Sequence, residues 1–171
     1  MNFHELVATR KSVRGYDPER PVPREALTRI LDTARLAPSA KNLQPWTLLV
    51  VGSAEMLSAV RPCYEREWFQ KAPQILIVKG NRNSAWVRNS DGWNSLETDL
   101  AIVMDHLVLA AHAEGVATCW ISAFDPVLLH KVLELTPDDE VFAITPLGYA
   151  STPDETRPKS RKPLDEVVEY L

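Results

Sequence analysis

The chain has 171 residues, of which 45% are hydrophobic and 25% charged, with a formal net charge of −4. That length buries roughly 70% of the surface an unfolded chain exposes, which suits one domain with its own core, and the acidic balance speaks against a nucleic-acid partner held by bulk electrostatics. Met1 to Arg10 lacks a basic leader followed by an apolar core, and no apolar run reaches the roughly eighteen residues of a membrane span, so the expected location is cytoplasmic with no membrane partner.

Asn2 and Glu5 have the spacing of a capping box for a short helix with Phe3, Leu6 and Val7 on one face, ending at Arg10. Arg10-Lys11-Ser12-Val13-Arg14 then gathers three cations and a hydroxyl within five residues. A phosphate monoester carries about −1.5 to −2 charge and three acceptor oxygens, and a tight site for it wants guanidinium forks, an ammonium and a hydroxyl. The plain alternative is a solvated basic turn at the negative end of a helix.

Leu27, Ile30, Leu31 and Ala34 repeat at helical spacing between Pro23, suited to a first turn, and Pro38, which stops the helix. Ser39 to Gln44 follow as a polar loop, closed by Pro45-Trp46 and leading into a buried strand over Thr47 to Val51. This loop is either a binding segment at a sheet edge or an ordinary connection whose Asn and Gln satisfy turn amides.

Further helices fit Ser53 to Val60, Asn94 to Glu114 and Asp125 to Leu135, and further strands fit Gln74 to Val78, Ala117 to Ser122 and Val141 to Leu147. The longest helix has Leu96, Leu100, Val103, Met104, Leu107, Val108 and Ala111 on its apolar face. Asn94 with Glu97 forms its expected capping pair, and Gly115 lies just past its end. Asp125-Pro126 reads as an N-cap with proline at the first helical position. Between Lys79 and Ser95, Trp86 and Trp93 either anchor a loop or cover a ligand face. The Pro-rich tail, with Pro153, Pro158 and Pro163, leads to Leu164, Val167, Val168 and Leu171, an apolar face that favours docking.

Cys63 and Cys119 are too far apart for a C-x-x-C pair, and the four histidines show no H-E-x-x-H spacing, so no metal site is expected. The six glycines form neither a dinucleotide fingerprint nor a phosphate-binding P-loop. Interleaved helices and strands suggest an α/β or α+β sandwich.

Four segments in register resemble the flavin-dependent nitroreductase family: the Arg10 to Arg14 pentad, Pro38-Ser39-Ala40-Lys41-Asn42-Leu43-Gln44-Pro45-Trp46, Gly115 to Pro126, and Gly148-Tyr149-Ala150 with Arg161-Lys162-Pro163-Leu164-Asp165-Glu166-Val167-Val168. The resemblance implies an α+β fold, a mixed and largely antiparallel sheet packed among helices in an intertwined homodimer. It makes residues 1–171 a single domain, with 151–171 as an extended tail docking on the dimer.

It also implies an FMN-dependent oxidoreductase that takes hydride from NADH or NADPH and passes it, by a ping-pong mechanism, to a small aromatic acceptor such as a nitroaromatic or a quinone. Such a mechanism needs few side chains, because the cofactor carries the chemistry while the protein orients it. Arg10, Lys11 and Ser12, joined by Arg161 and Lys162, are implied to hold phosphate and ribityl. Arg14 would serve the N1 and C2=O end of the ring, where reduction leaves negative charge. Asn42 would hydrogen-bond the cofactor, and Pro38, Ser39 and Ala40 would cover it from the second subunit.

At the N5 edge this chain has Ser122-Ala123 where many members have Glu-Gly. The Ala123 N–H is still able to donate to N5. The alternatives are a specialised flavin enzyme of the same family, for dehalogenation or flavin cleavage, and a non-catalytic flavin-binding protein.

Overall fold

The central strand accounts for most of the architecture. The computed structural model describes residues 1–151 and 159–171, and in it β2 (Gln74–Asn81) runs antiparallel between β1 (Trp46–Val51) and β3 (Asp139–Leu147). Ile75, Leu76, Ile77 and Val78 are all fully buried. A strand covered on both faces reads as an unbroken apolar run instead of an alternation.

On one face, Leu76 and Val78 pack with α2 (Arg24–Ala34) and α5 (Leu96–Ala113) through Ile30, Leu100, Met104 and Leu107. On the other, Ile75 and Ile77 meet α3 (Ala54–Val60), α4 (Glu67–Gln70) and α6 (Pro126–Val132) through Val60, Phe69 and Leu129. The seven apolar residues expected on the buried face of α5 are all buried. The fold is α+β, with helices on both faces of the sheet. A parallel bridge between Ser12 and Thr118 makes the pairing mixed. Among the described residues no helix is long and apolar enough to cross a membrane.

Helix ends follow local chemistry. α1 (Phe3–Thr9) has the expected capping box: Glu5 N–H donates to Asn2 Oδ1 at 3.0 Å and Asn2 N–H to Glu5 Oε2 at 2.9 Å. Asp125 caps α6 by accepting from the Val127 and Leu128 amides at 2.9 and 3.0 Å. α5 ends in a Schellman motif, with Gly115 at φ +71°, its N–H on the His112 carbonyl and the Val116 N–H on that of Ala111.

Four sequence expectations are corrected. Asn94 and Glu97 do not form a capping pair: Ser95 is the N-cap, Asn94 Oδ1 accepts from the Leu96 amide, and Glu97 faces Arg82 at 3.7 Å. The second helix stops at Ala34, ahead of Pro38, and closes with the Leu36 and Ala37 amides on the Thr33 and Ala34 carbonyls. α6 ends at Val132, before Leu135, because Glu134 turns to φ 50° and the Leu135 N–H closes on the His130 carbonyl.

Residues 117–122 form no continuous strand. Isolated bridges pair Ala117 with Gly148 and Ile121 with Ile144. In that register Cys119 faces Pro146, which has no N–H to give. The Cys119 carbonyl thus has no ladder donor opposite it, and the Cys119 amide donates to the Thr145 hydroxyl at 3.0 Å, which itself donates to the Pro146 carbonyl.

Pro153 and Pro158 lie outside the described residues. Beyond them, Leu164, Val167, Val168 and Leu171 are exposed on this chain.

Candidate functional site

The basic pentad is held open by its neighbours. Arg10 closes α1, its N–H on the Leu6 carbonyl at 3.0 Å, and the chain then runs extended so that the Val13 N–H reaches the Thr118 carbonyl at 2.9 Å. Val13 is buried with Tyr16, Ala72 and Ala117. Alternation along extended backbone therefore turns Ser12 and Arg14 to the opposite side. Cys119 follows Thr118, the bridge partner of Ser12, and its thiol is buried. Burial raises the pKa of that thiol against the opposing pull of Arg14 and Arg10, which keeps it protonated and unreactive at neutral pH.

The far end of the chain arrives at the same place. Lys159 Nζ donates to the Val7 carbonyl at 2.6 Å, at the end of α1. Its pKa is lowered, first by burial and then by the charges of Arg10 and Arg161. His112, in the last turn of α5, meets the Thr9 hydroxyl at 2.9 Å. Its pKa is lowered by burial and by Arg10, Lys159 and Lys11. Lys159 and His112 thus meet the end of α1, which runs directly into Arg10, Lys11 and Ser12. Guanidinium, ammonium and hydroxyl donors of this kind suit a phosphate monoester.

Sequence reasoning named Arg161 and Lys162 and missed Lys159 and His112. The run Lys159-Ser160-Arg161-Lys162 was the available signal for the first, whereas nothing in the sequence marked His112. Lys162 is exposed, and among the described residues no contact joins it to the cluster.

The Pro38 to Gln44 loop is built just as firmly. Lys41, Asn42 and Gln44 adopt φ of 51°, 55° and 50°. Ser39 Oγ accepts the Gln44 amide at 2.9 Å, and the Ala40 amide donates to Asp99 Oδ1 at 2.9 Å. Asp99 is buried and takes a second hydrogen bond from Ser95 Oγ at 2.8 Å. Gly80 is required nearby: a Cβ there would lie 2.6 Å from the Pro45 carbonyl oxygen and 2.7 Å from Leu96. Pro38 and Asn42 are left exposed, Ser39 and Ala40 half-buried.

Loop and pentad do not meet within one chain. Asp99 anchors the loop near the start of α5, while His112 marks the cation cluster near its end. A helical rise of 1.5 Å per residue separates them by about 20 Å.

Ser122 and Ala123 lie just past the Ile121 bridge and are exposed. The extended stretch from Thr118, which bonds Val13, leads to them, so pentad and Ser122-Ala123 flank one continuous segment. Ser122 Oγ accepts from Trp120 Nε1 at 3.3 Å, and Trp120 packs edge-on to Phe142.

Trp86 and Trp93 meet edge-to-face, ring centroids 6.4 Å apart, on a turn closed by the Arg88 N–H to the Trp93 carbonyl and by the Val87–Asn94 bridge. Trp86 is half-buried and Trp93 is 41% exposed, so one ring anchors the turn and the other faces outward.

The nitroreductase family model matches this chain over residues 7–63 and 54–149. The chain belongs to the nitroreductase family. It is an oxidoreductase of that family, and a relative from Methanothermobacter thermautotrophicus, whose name pairs NADH dehydrogenase with NAD(P)H nitroreductase, is 30% identical over 167 residues. That alignment spans 92% of this chain and 82% of the relative.

The crystal structure of a nitroreductase family protein from Clostridium difficile 630 superposes with a TM-score of 0.89 at 33% identity, covering 99% of this chain and 98% of that one. A nitroreductase from Exiguobacterium sibiricum, solved in complex with FMN, shares the fold with a TM-score of 0.86 at 22% identity, covering 100% of this chain and 98% of its own.

Proposed function

We propose that this nitroreductase-family protein is an FMN-dependent NAD(P)H oxidoreductase that reduces a small aromatic acceptor, a nitroaromatic or a quinone, by a ping-pong mechanism. The observation that carries the reading is that Lys159, from the tail, meets the end of α1 where Arg10, Lys11 and Ser12 follow, at one end of the extended segment that leads to Ser122 and Ala123. Cations and a hydroxyl at one end and exposed backbone at the other suit a ligand with a phosphate and a planar ring.

FMN, when bound, would supply the redox chemistry, hydride transfer between NADH or NADPH and the acceptor. Arg10, Lys11, Ser12, Lys159 and Arg161, with Lys162 close in sequence, hold the phosphate and ribityl. Arg14 steadies negative charge at the N1 and C2=O end, and the Ala123 N–H serves the N5 edge. Ser122 adds a polar group next to the acceptor.

The site is completed by a second copy of the chain. Pro38, Ser39, Ala40 and Asn42 stand about 20 Å along α5 from the cation cluster, so these residues cover a cofactor only when they come from a partner. Phe3, Leu6, Leu109 and Ala113 line an apolar groove of about 460 Å³ along α1 and α5, and Leu36, Leu43 and the apolar tail residues are exposed beside no cover of their own. An intertwined homodimer in which the tail docks on the other copy buries these surfaces.

The purified protein will show flavin absorption bands that bleach on anaerobic addition of NADH or NADPH and return when a quinone is added. A protein that stays colourless after incubation with FMN overturns the reading.

A further inference from the structure

The turn between β2 and α5 fixes one indole and leaves much of it uncovered. The Arg88 N–H donates to the Trp93 carbonyl at 2.8 Å, the Gly92 N–H to the Arg88 carbonyl at 2.9 Å, and the Trp93 N–H to Asp91 Oδ1 at 3.2 Å. Gly92 takes φ +73°, which glycine adopts without a Cβ penalty. The Arg88 guanidinium is held by both Asp91 carboxylate oxygens, at 2.8 and 2.6 Å, and its carbon lies 5.1 Å from the centroid of the Trp93 ring. Packed by Arg88 and Trp86, the ring is set in orientation, yet Trp93 stays 41% exposed. An indole presented this way offers a large contact area at little conformational-entropy cost.

This turn hangs from the same carboxylate as the Pro38 to Gln44 loop. Ser95 Oγ donates to Asp99 Oδ2 at 2.8 Å, and the Ala40 amide donates to Asp99 Oδ1 at 2.9 Å. Both Ser95 and Asp99 are buried. Trp93 precedes Ser95 by two residues, a span of at most about 7 Å. Asn94, between them, is tied on both sides, its Nδ2 to the Arg82 carbonyl and its Oδ1 to the Leu96 amide. Loop and turn therefore share one buried anchor at the start of α5, the end remote from the basic pentad.

We propose that Trp93 of one copy forms an aromatic wall of the acceptor site in the other, its exposed indole stacking on a planar quinone or nitroaromatic that lies over the flavin ring. A loop that covers the second copy's cofactor brings the turn on its anchor to the same place. Ring contact of this kind favours flat aromatic acceptors, while Arg88, paired with Asp91, keeps the indole in position. This inference rests on the flavin-reductase reading and the second-copy loop given above.

The test compares FMN-loaded wild type, Trp93→Ala and Trp93→Phe. A flat aromatic that is not reduced, 2-naphthol, is titrated into the oxidised proteins and followed through the flavin absorption bands. Its Kd is expected to rise about two- to tenfold in Trp93→Ala, the range of one aromatic contact. Trp93→Phe, which keeps an aromatic plane, should recover most of that loss. In turnover with menadione the change should fall on KM more than on kcat.

A co-expressed heterodimer of Arg10→Ala and Trp93→Ala then tells which copy supplies the ring. FMN is retained by the copy whose Arg10 is intact, and the Trp93 facing that flavin belongs to the Arg10→Ala copy, so a wild-type Kd for 2-naphthol is expected. A Kd equal to that of the Trp93→Ala homodimer overturns the proposal, as does an unchanged Kd in a Trp93→Ala homodimer that holds FMN. Either result leaves the cofactor reading standing, whereas a wild-type protein that takes up no FMN overturns that reading itself.

Discussion

Asp99 accepts the Ala40 N–H at 2.9 Å from inside the core, where its carboxylate is only 2% exposed residue-wide and is otherwise held by Ser95. One buried acceptor thus ties the Pro38 to Gln44 loop to the beginning of α5. Removing it strands the Ala40 amide and the Ser95 hydroxyl. Asp99→Ala should therefore lower the unfolding free energy by about 1–3 kcal/mol, read from urea denaturation. Asp99→Asn, whose amide oxygen still accepts from Ala40, should lose less than half of that. Equal losses would show that the loop contact contributes nothing specific.

The position of that contact leads to a test of how the site is assembled. Arg10→Ala removes a charged donor worth roughly 1.5–3 kcal/mol, so FMN retention should fall by about ten- to a hundredfold, read by flavin absorbance after gel filtration. Ala40→Trp, which fills the loop's outer surface, should also abolish binding. A co-expressed heterodimer of the two variants then carries one site with both defects and one with neither. Recovery of about half the wild-type flavin content is expected. No recovery would mean that pentad and loop serve separate sites or that the cofactor lies within one chain.

Acid stability should depend on Asp139. Its carboxylate accepts from Lys79 Nζ at 3.0 Å, from the Thr136 amide and hydroxyl, and from Asn81, and the Lys79 contact leads in holding its pKa well below the usual carboxylate range. A carboxylate whose pKa is depressed by folding contributes stability that is complete above its unfolded pKa of about 4 and is lost as the pH falls from there toward the folded value. Asp139→Asn should flatten the dependence of unfolding free energy on pH below about 4, measured by denaturation at several acid pH values. An unchanged slope would assign the acid transition to other groups.

Much of this molecule was written in local pattern. Capping chemistry at Asn2 and Asp125, glycine at the end of α5 and the continuous apolar run of β2 each act within a few residues, so they are legible without the fold. Residues 117–122 were misjudged as a full strand because the obstacle, Pro146, lies on a different part of the chain and meets Cys119 only across the sheet. Asp99 was invisible for a related reason: an acidic residue in the first turn of a helix is ordinarily solvated, and only the folded chain shows it buried under the loop.

The sequence by itself determined the chemical types at the site, since three cations and a hydroxyl in the pentad and a basic run near the end suit an anion wherever they fall. Only the tertiary structure decided which of them meet. Lys159 and His112 join the pentad because α1, the end of α5 and the tail converge there, while the Pro38 to Gln44 loop is carried to the other end of the same helix. Charge and hydrogen-bonding capacity belong to residues, but the distances that turn them into a site are set by the packing of elements remote in the chain.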